Sequence, residues 1–361
     1  MSPSVLYDGW PLVRQPLGPA AVHLSALLAV HPVGVDALLA LPEEPPDWLS
    51  TQVVSHVLPL ADSPASRLRW EQRLLPALGE EVGADCIHMT SMGAPFFSRL
   101  PVLVSPTGYG TQEEPSGLRA RLLQSIGIGG AARASAWLWP SDLPAPQPAP
   151  VNQVSLSPLV HPVFFQAAGG RIPAELQASG LPETYILYHG PGSFSAMRFV
   201  LEAWSWAALP LGGGLPLLLL GLTDAVRQQL KDFLAGSDLE KTVIALGDCS
   251  PGHLPWIYQH CEAYFHPASV SPWGDAVRQA LACGKPVVAA ASPGMDALVG
   301  SAAYLAPGDD RRALGAALLS VIVETSLGEE LANKARQRAE EWSGNEFVRE
   351  LGDFYLRLAS G

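Results

Sequence analysis

The stretch SPWGDAVRQALACGKPVV, residues 271–288, decides the class of fold. Its pattern predicts a polar loop, then a short amphipathic helix, then a buried strand. Corners of this kind in α/β proteins bind phosphates and sugars, because a helix N-terminus points free N–H groups at an anion. This corner nevertheless contains few charged side chains, so a charged ligand would find little to pair with.

Apolar runs of strand length alternate with helical patterns along the chain. In the first half the predicted strands are VLYD (5–8), VDALLAL (35–41), CIHM (86–89), PVLVS (101–105), SAWLW (135–139) and residues 151–156. In the second half they are YILYHG (185–190), LPLLLLG (215–221), TVIAL (242–246), AYFHP (263–267), PVVAA (286–290) and AAYLA (302–306). The alternation predicts an α/β protein with a doubly wound parallel sheet in each half.

The irregular stretch AAGGRIPAELQASGLPE (167–183) marks the boundary between the halves. A chain of 361 residues is long enough for two domains with a core each. We expect a first domain at residues 1–168, a second at 169–343, and a C-terminal helix at 344–361 that crosses back to the first domain. Ligands of such sheets bind at the carboxyl ends of the strands.

Composition narrows the class of protein. Charged residues make up 16% and hydrophobic residues 48% of the chain, which is typical of a compact, enzyme-like protein. The net charge of -12 and the lack of a basic stripe argue against nucleic acid as a partner. No apolar run reaches the roughly 18 to 20 residues that span a bilayer. The N-terminal sequence has no basic start and no long apolar stretch, so we expect a cytoplasmic location.

The cysteines predict reduced thiols in the core, because four of them are too few for a disulfide framework. One group of metal-ligand types occurs in the second half: Cys249, His253, His260, Cys261 and His266. Its spacing matches no zinc pattern, so we expect no metal. A metal-dependent hydrolase built on this group is kept as a third hypothesis.

The segment HGPGSFSAM, residues 189–197, predicts a strand-to-helix turn with glycines at 190 and 192. Such a turn lets a diphosphate approach the backbone, but a tight turn with no ligand explains the glycines equally well. His88 and His189 stand at the ends of predicted strands. A histidine at such a position is either a functional residue or a structural one that is hydrogen-bonded in the core.

The second half resembles the donor domain of glycosyltransferase family 4 (glycosyl transferases group 1), retaining enzymes of the GT-B fold. The matching segments, in order, are ILYHG, FVLEAW, PLLLLG, LPWIYQHCEAYFHPAS, QALACGKPVVAA, AAYLAPGD and EEWSGNEFVRELGDFYLRL. The first half matches more loosely, through LYDGWPLV, the helix after Gly18, ADCIHM, PVLVSPTGYG and VNQVSLSPLVHPVFF. The resemblance implies two Rossmann-like domains that face a central crevice. It makes the first domain the acceptor side and the second the nucleotide-sugar side.

The resemblance also implies where charged catalytic groups should stand. In the family two Glu residues hold the sugar hydroxyls and the ribose, and their counterparts here are Ser271 and Gln279. An Arg and a Lys that neutralise the departing diphosphate correspond to Pro191 and Ala196. A His beside the reacting carbon corresponds to Thr107. All five positions are therefore neutral.

Two hypotheses follow from these neutral positions. The first is a pseudo-glycosyltransferase that binds a nucleotide-sugar or a glycan with weak or no transfer activity, or that serves as the partner subunit of an active enzyme. The alternative is an active retaining glycosyltransferase with non-standard catalytic residues. In that case Arg198 or Arg278 would turn inward and Asp275 would replace a carboxylate. Otherwise the two arginines lie on a solvated helix face, and Asp275 stands at the start of a helix.

Several further residues join the predicted site. The donor-binding candidates are Gly190, Gly192, Ser193, Arg198, Ser271, Trp273, Gly274, Asp275 and Gln279. The acceptor-side candidates are Gly18, Gly108 and Tyr109. Trp273 and Tyr109 either stack on a ligand or close a loop. No cofactor is expected beyond a nucleotide-sugar substrate. The first 168 residues contain no Lys and more acids than Arg, which argues against membrane docking.

Overall fold

The computed structural model describes residues 2–49, 53–108, 118–147, 149–167, 169, 171–211, 214–247, 249–274 and 276–360. The chain forms two compact units. The first comprises Met1–Pro162, Ser271–Gly274 and Trp342–Gly361, and the second comprises Val163–Val270 and Asp275–Glu341. The short segment Ser271–Gly274 thus belongs to the first unit, although the chain on both sides of it belongs to the second.

A seven-stranded parallel sheet forms the centre of the first unit. Its strands are β1 (Ser4–Asp8), β2 (Asp36–Leu41), β3 (Val54–Val57), β4 (Cys86–Met89), β5 (Val102–Val104), β6 (Ala136–Pro140) and β7 (Gln153–Leu156). They lie in the order β3-β2-β1-β4-β5-β6-β7, so the strand order reverses between β1 and β4. That reversal is the switch point of the sheet, where α/β proteins bind ligands.

Helices of the first unit connect these strands. They are α1 (Trp10–Arg14), α2 (Pro19–Ala29), α3 (Pro64–Arg69), α4 (Leu75–Glu81) and α5 (Leu118–Ala131). A π-helical turn at Trp70–Leu74 joins α3 to α4. The sequence pattern predicts one helix over residues 66–82. The π turn divides that helix, and the indole of Trp70 in this turn donates to Asp8.

A six-stranded parallel sheet forms the centre of the second unit. Its strands are β8 (Ile186–His189), β9 (Leu217–Leu220), β10 (Val243–Ala245), β11 (Ala263–His266), β12 (Val287–Ala291) and β13 (Tyr304–Pro307). The order is β10-β9-β8-β11-β12-β13, with the switch point between β8 and β11. All four residues of β9 are fully buried, as a central strand covered by helices on both faces requires.

The helices of the second unit are α6 (Ala174–Ala178), α7 (Phe194–Leu211), α8 (Asp224–Leu234), α9 (Leu254–His260), α10 (Ala276–Ala282), α11 (Pro293–Val299), α12 (Arg311–Val323) and α13 (Thr325–Ala339). Two short helices of the second unit, α6 and α11, are not predicted by the sequence pattern. Both predicted doubly wound parallel sheets are confirmed.

The last helix, α14 (Asn345–Ser360), packs in the core of the first unit. Its buried face consists of Phe347, Leu351 and Tyr355, which are spaced four residues apart. This spacing places the three side chains on one side of a helix. The predicted roles of residues 1–168 and 169–343 as acceptor and donor domains stay predictions.

Candidate functional site

Three buried hydroxyl groups form a ladder in the first unit, beyond the carboxyl ends of β4 and β5. The Thr90 hydroxyl donates to the Ala20 carbonyl at 2.9 Å, and the Thr107 hydroxyl donates to the Thr90 carbonyl at 2.7 Å. The Ser271 hydroxyl lies 2.5 Å from the Thr107 carbonyl oxygen and 2.6 Å from that of Trp273. Positions 107 and 271, where the family resemblance implies a His and a Glu, therefore satisfy backbone carbonyls of the first unit.

The segment Ser271–Gly274 is fixed in the first unit mainly by Trp273, which is 1% exposed. The indole Nε1–H donates to the Leu138 carbonyl at 2.7 Å. The ring stacks on His23 with centroids 4.7 Å apart and meets Phe347 edge-on. This burial supports the loop-closing alternative for Trp273.

Gly274 completes the segment at a position that only glycine fits. Its φ is +64°, and a Cβ atom there would stand 2.1 Å from the Pro19 carbonyl oxygen. Gly274, predicted on the donor side, therefore belongs to the first unit, as do the two acceptor-side glycines: Gly18 precedes α2, and Gly108 follows Thr107. Tyr109 and Asp275 lie outside the described residues.

An ionic network that the sequence analysis missed occupies the switch point between β1 and β4. Asp8 ends β1, and its carboxylate accepts from Arg67 at 2.8 Å and from the Trp70 indole at 2.8 Å. Arg67 also donates to Glu71 at 2.5 Å and to the Ser91 hydroxyl at 2.9 Å. Burial raises the pKa of Glu71 despite the adjacent guanidinium. The one detectable signal in the sequence is an aspartate that closes the apolar run VLYD.

A chain of hydrogen bonds joins α14 to β1 and β4 of the first unit. The linked groups, from one end to the other, are Ser105, His88, Tyr355, Tyr7, His31 and the Val35 carbonyl, at successive distances of 2.8, 2.7, 3.0, 3.3 and 2.8 Å. Burial lowers the pKa of His88 to about 3 and also lowers the pKa of His31. Both imidazoles are therefore neutral near pH 7.

Because both imidazoles are neutral, the donor and the acceptor of every hydrogen bond in this series are fixed. A carbonyl only accepts, so Nε2 of His31 carries a hydrogen and Nδ1 accepts from Tyr7. Tyr7 in turn accepts from Tyr355, and Tyr355 accepts from Nδ1–H of His88. Nε2 of His88 then accepts from the Ser105 hydroxyl. Of the two roles open to His88, this arrangement supports packing, since neither nitrogen is left for a substrate.

The buried imidazole of His88 predicts a loss of stability on mild acidification. The unfolded chain takes up a proton near the ordinary pKa of 6.5, whereas the folded protein stays neutral at this ring down to about pH 3. The free energy of unfolding should therefore fall by about 2 kcal/mol between pH 7 and pH 5 through this group alone. Urea unfolding at the two pH values measures it. In His88→Gln the fall should be smaller by that amount, and an equal fall in both proteins would contradict the assignment.

In the second unit, two tyrosines hold the glycine turn at residues 189–193, which follows β8. The Tyr188 hydroxyl donates to the Pro191 carbonyl at 2.8 Å, and the Tyr264 hydroxyl donates to the His189 carbonyl at 2.5 Å. In a trans peptide the C=O and the next N–H point in opposite directions. The N–H groups of the two glycines consequently point away from the tyrosines. Within the described part of the chain, neither has a hydrogen-bond acceptor.

No side-chain cation lies among the predicted site residues of this turn. Pro191 and Ala196 stand where the resemblance implies an Arg and a Lys, and the Ala196 N–H is capped by the Ser193 hydroxyl at 3.1 Å. Arg198 is half-exposed on α7 and lies 4.0 Å from Glu202. Its guanidinium thus occupies the solvated helix face, one of the two alternatives left open by the sequence.

The helix α10 brings two buried polar side chains into the second unit. Arg278 is 2% and Gln279 is 3% exposed, so the solvated-face alternative is wrong for Arg278. Its burial follows from α10 being enclosed on all sides, since every residue of the helix is buried. The Gln279 amide oxygen is buried and, among the described residues, has no hydrogen-bond donor. A buried polar atom without a protein partner calls for a water molecule or a ligand.

All four cysteines are free, and burial raises the pKa of Cys249 and Cys261 to about 12. Within the described ranges, no three His, Cys, Asp or Glu side chains are grouped so that they could hold a metal. None of the described helices combines the length and apolar composition of a membrane span.

Two doubly wound parallel sheets of seven and six strands define the GT-B class of α/β protein, as solved structures confirm. The chain is similar to Anabaena HepE in complex with UDP-glucose, with a TM-score of 0.71, 16% identity and 99% of each chain covered. It is similar to sucrose-phosphate synthase from Thermosynechococcus elongatus, with a TM-score of 0.66, 18% identity and 99% of each chain covered. It is also similar to WaaG, a glycosyltransferase of lipopolysaccharide biosynthesis, with a TM-score of 0.69, 14% identity and 97% and 99% covered.

Residues 200–342 match the family model of glycosyl transferases group 1. The resemblance that the sequence motifs predict is thereby confirmed for this part of the chain, and the GT-B fold is confirmed for the whole. No curated protein sequence matches the chain. The neutral replacement of the five charged family positions stays a prediction.

Proposed function

We propose that this protein binds a nucleotide-sugar at the carboxyl edge of the second sheet and transfers the sugar weakly or not at all. The observation that carries the proposal is the glycine turn at residues 189–193. Two of its carbonyls accept from tyrosines, so the N–H groups of the two glycines, just before α7, point away from those tyrosines. Backbone N–H groups at a helix N-terminus are a natural site for a diphosphate.

The buried amide of Gln279 supports the same ligand. Its oxygen has no protein donor among the described residues, and a ribose hydroxyl is a donor of the right size. Both α7 and α10 begin beyond the carboxyl ends of adjacent strands, β8 and β11. Ligands of doubly wound sheets bind at such a switch point. HepE, which shares the fold, has been solved with UDP-glucose.

Weak turnover follows from electrostatics. The leaving nucleoside diphosphate gains negative charge as the glycosidic bond breaks, and the start of α7 offers only about half a positive charge. Loss of one preorganised partner for such charge slows a reaction by a factor on the order of 10² to 10³. The effects of losing several charged partners do not add simply. Their loss nevertheless lowers the rate of transfer more than it weakens the binding of the nucleotide-sugar.

An active retaining transferase is the second candidate, and one observation favours it. Arg278 is a buried cation next to Gln279 in α10. A guanidinium held in a site of low dielectric would stabilise a departing diphosphate more than a solvated one. In that case the protein would turn over at an ordinary enzyme rate, on the order of 1 per second or more.

The test measures binding and turnover in the same preparation. UDP and UDP-glucose are titrated by calorimetry, and we expect saturable binding at one site. The double variant Tyr188→Phe/Tyr264→Phe should weaken binding roughly tenfold, since it frees the turn from two hydrogen bonds. Tyr185→Phe is the matched control, because its buried hydroxyl also donates to a carbonyl, that of Ile257 at 2.8 Å, outside the turn.

Turnover of UDP-glucose, measured as released UDP with and without sugar acceptors, should stay below about 0.01 per second. A rate on the order of 1 per second would support the active transferase. Failure of UDP, GDP and ADP and their glucose conjugates to bind would reject both candidates.

A further inference from the structure

A cavity of about 600 Å³ opens in the first unit at the amino ends of β5 and β6. Its volume lies within the range of small-molecule sites in proteins. Thr107 and the hydroxyl ladder lie beyond the carboxyl ends of the same sheet, so this cavity is separate from the predicted acceptor-side residues. Phe96, Phe97, Arg99 and Arg133 are among the residues that line it.

Two glycines of α5 let the loop that carries Phe96 and Phe97 pack closely against this helix. A Cβ atom at Gly130 would stand 1.9 Å from the Ala94 carbonyl oxygen, and one at Gly129 would stand 2.8 Å from the Phe96 ring. Glycine is a poor helix former, and this close approach of the loop to the helix explains its presence. The loop is thereby packed against α5 while the Phe97 ring remains 82% exposed.

The charged groups at the cavity carry a net positive charge. The Arg133 guanidinium lies 5.5 Å from the ring centroid of Phe96 and 5.8 Å from that of Phe97. Among the residues described here, no carboxylate lies within ion-pair distance of Arg133. Arg99 pairs with Glu80 at 3.3 Å. One cation is therefore left over at this cavity, in a chain with a net charge of -12.

We propose that this cavity is a second ligand site, for an organic anion that carries an aromatic ring. The ring of the ligand packs on Phe97, and its carboxylate, sulfonate or phosphate group pairs with Arg133. The exposed phenyl surface gains from being covered, and the guanidinium gains a counter-ion that the described residues do not supply. The proposal does not depend on a nucleotide-sugar in the second unit.

The test is a fluorescence titration of the full chain with 1-anilinonaphthalene-8-sulfonate, an aromatic anion. We expect saturable binding with one molecule per chain, and at least a tenfold weaker affinity in Phe97→Ala and in Arg133→Gln. Phe97 and Arg133 are exposed, so both variants should melt at the wild-type temperature. Phe233→Ala is the matched control, because Phe233 is 49% exposed and lies 6.0 Å from the Arg198 guanidinium in the second unit.

Three results would overturn the proposal. One is the absence of saturable binding. Another is an affinity that Phe97→Ala and Arg133→Gln leave unchanged, or that Phe233→Ala lowers equally, since the dye would then report general surface binding. The third is equally tight binding of N-phenyl-1-naphthylamine, the uncharged analogue, because the site would then recognise no charge.

Discussion

Replacing Trp273 by alanine is expected to destabilise the first unit by about 3 to 5 kcal/mol. The side chain is 1% exposed and packs between His23 and Phe347. Its removal leaves a cavity and deprives the Leu138 carbonyl of its donor. For a unit of this size each kcal/mol lowers the melting temperature by roughly 2 to 4 °C. Differential scanning calorimetry measures the shift.

Two further variants show whether the effect belongs to the buried ring. Trp206→Ala removes the same side chain from a 51% exposed position on α7, and it should cost about 1 kcal/mol or less. Trp273→Phe keeps an aromatic ring but loses the indole donor, and it should cost about 1 to 3 kcal/mol. Equal losses in Trp273→Ala and Trp206→Ala would mean that Ser271–Gly274 is not anchored in the first unit.

The sequence predicts the central strands of both sheets well, because burial on both faces makes them continuous apolar runs. LLLL in β9 is the clearest case, and all four leucines are buried. Strand β3 is not predicted, because its sequence VSHV belongs to the edge of the sheet and is half-exposed. An edge strand has no need of apolar residues on both faces, so its pattern does not differ from that of a loop.

The candidate site is harder to predict, because its bonds join residues far apart in the chain. Alignment with the family motifs draws attention to Thr107 and Ser271, but it cannot show that one hydrogen bond links them across 164 residues. The ionic network is missed for the same reason, since Asp8 and Arg67 are 59 residues apart. Single residue types reveal such pairs only after the fold has brought them together.

The replacement Ser271→Glu restores the carboxylate that the family resemblance implies at this position. In the structure the Ser271 hydroxyl is buried and faces the carbonyl oxygens of Thr107 and Trp273. An ionised carboxylate has no proton to donate and would be repelled by both oxygens. We expect a loss of about 3 kcal/mol or more in stability. Ser271→Ala, the control that only removes the donor, should cost about 1 to 2 kcal/mol.

The central claim is that the residue at position 271 stabilises the fold and does not take part in catalysis. The most direct test compares UDP-glucose turnover by Ser271→Glu, wild type and Ser271→Ala. We expect a lower melting temperature in Ser271→Glu and no gain in turnover over wild type. A variant that melts like wild type and turns over faster by a factor on the order of 10² to 10³, the contribution of one restored charge partner, would contradict the claim.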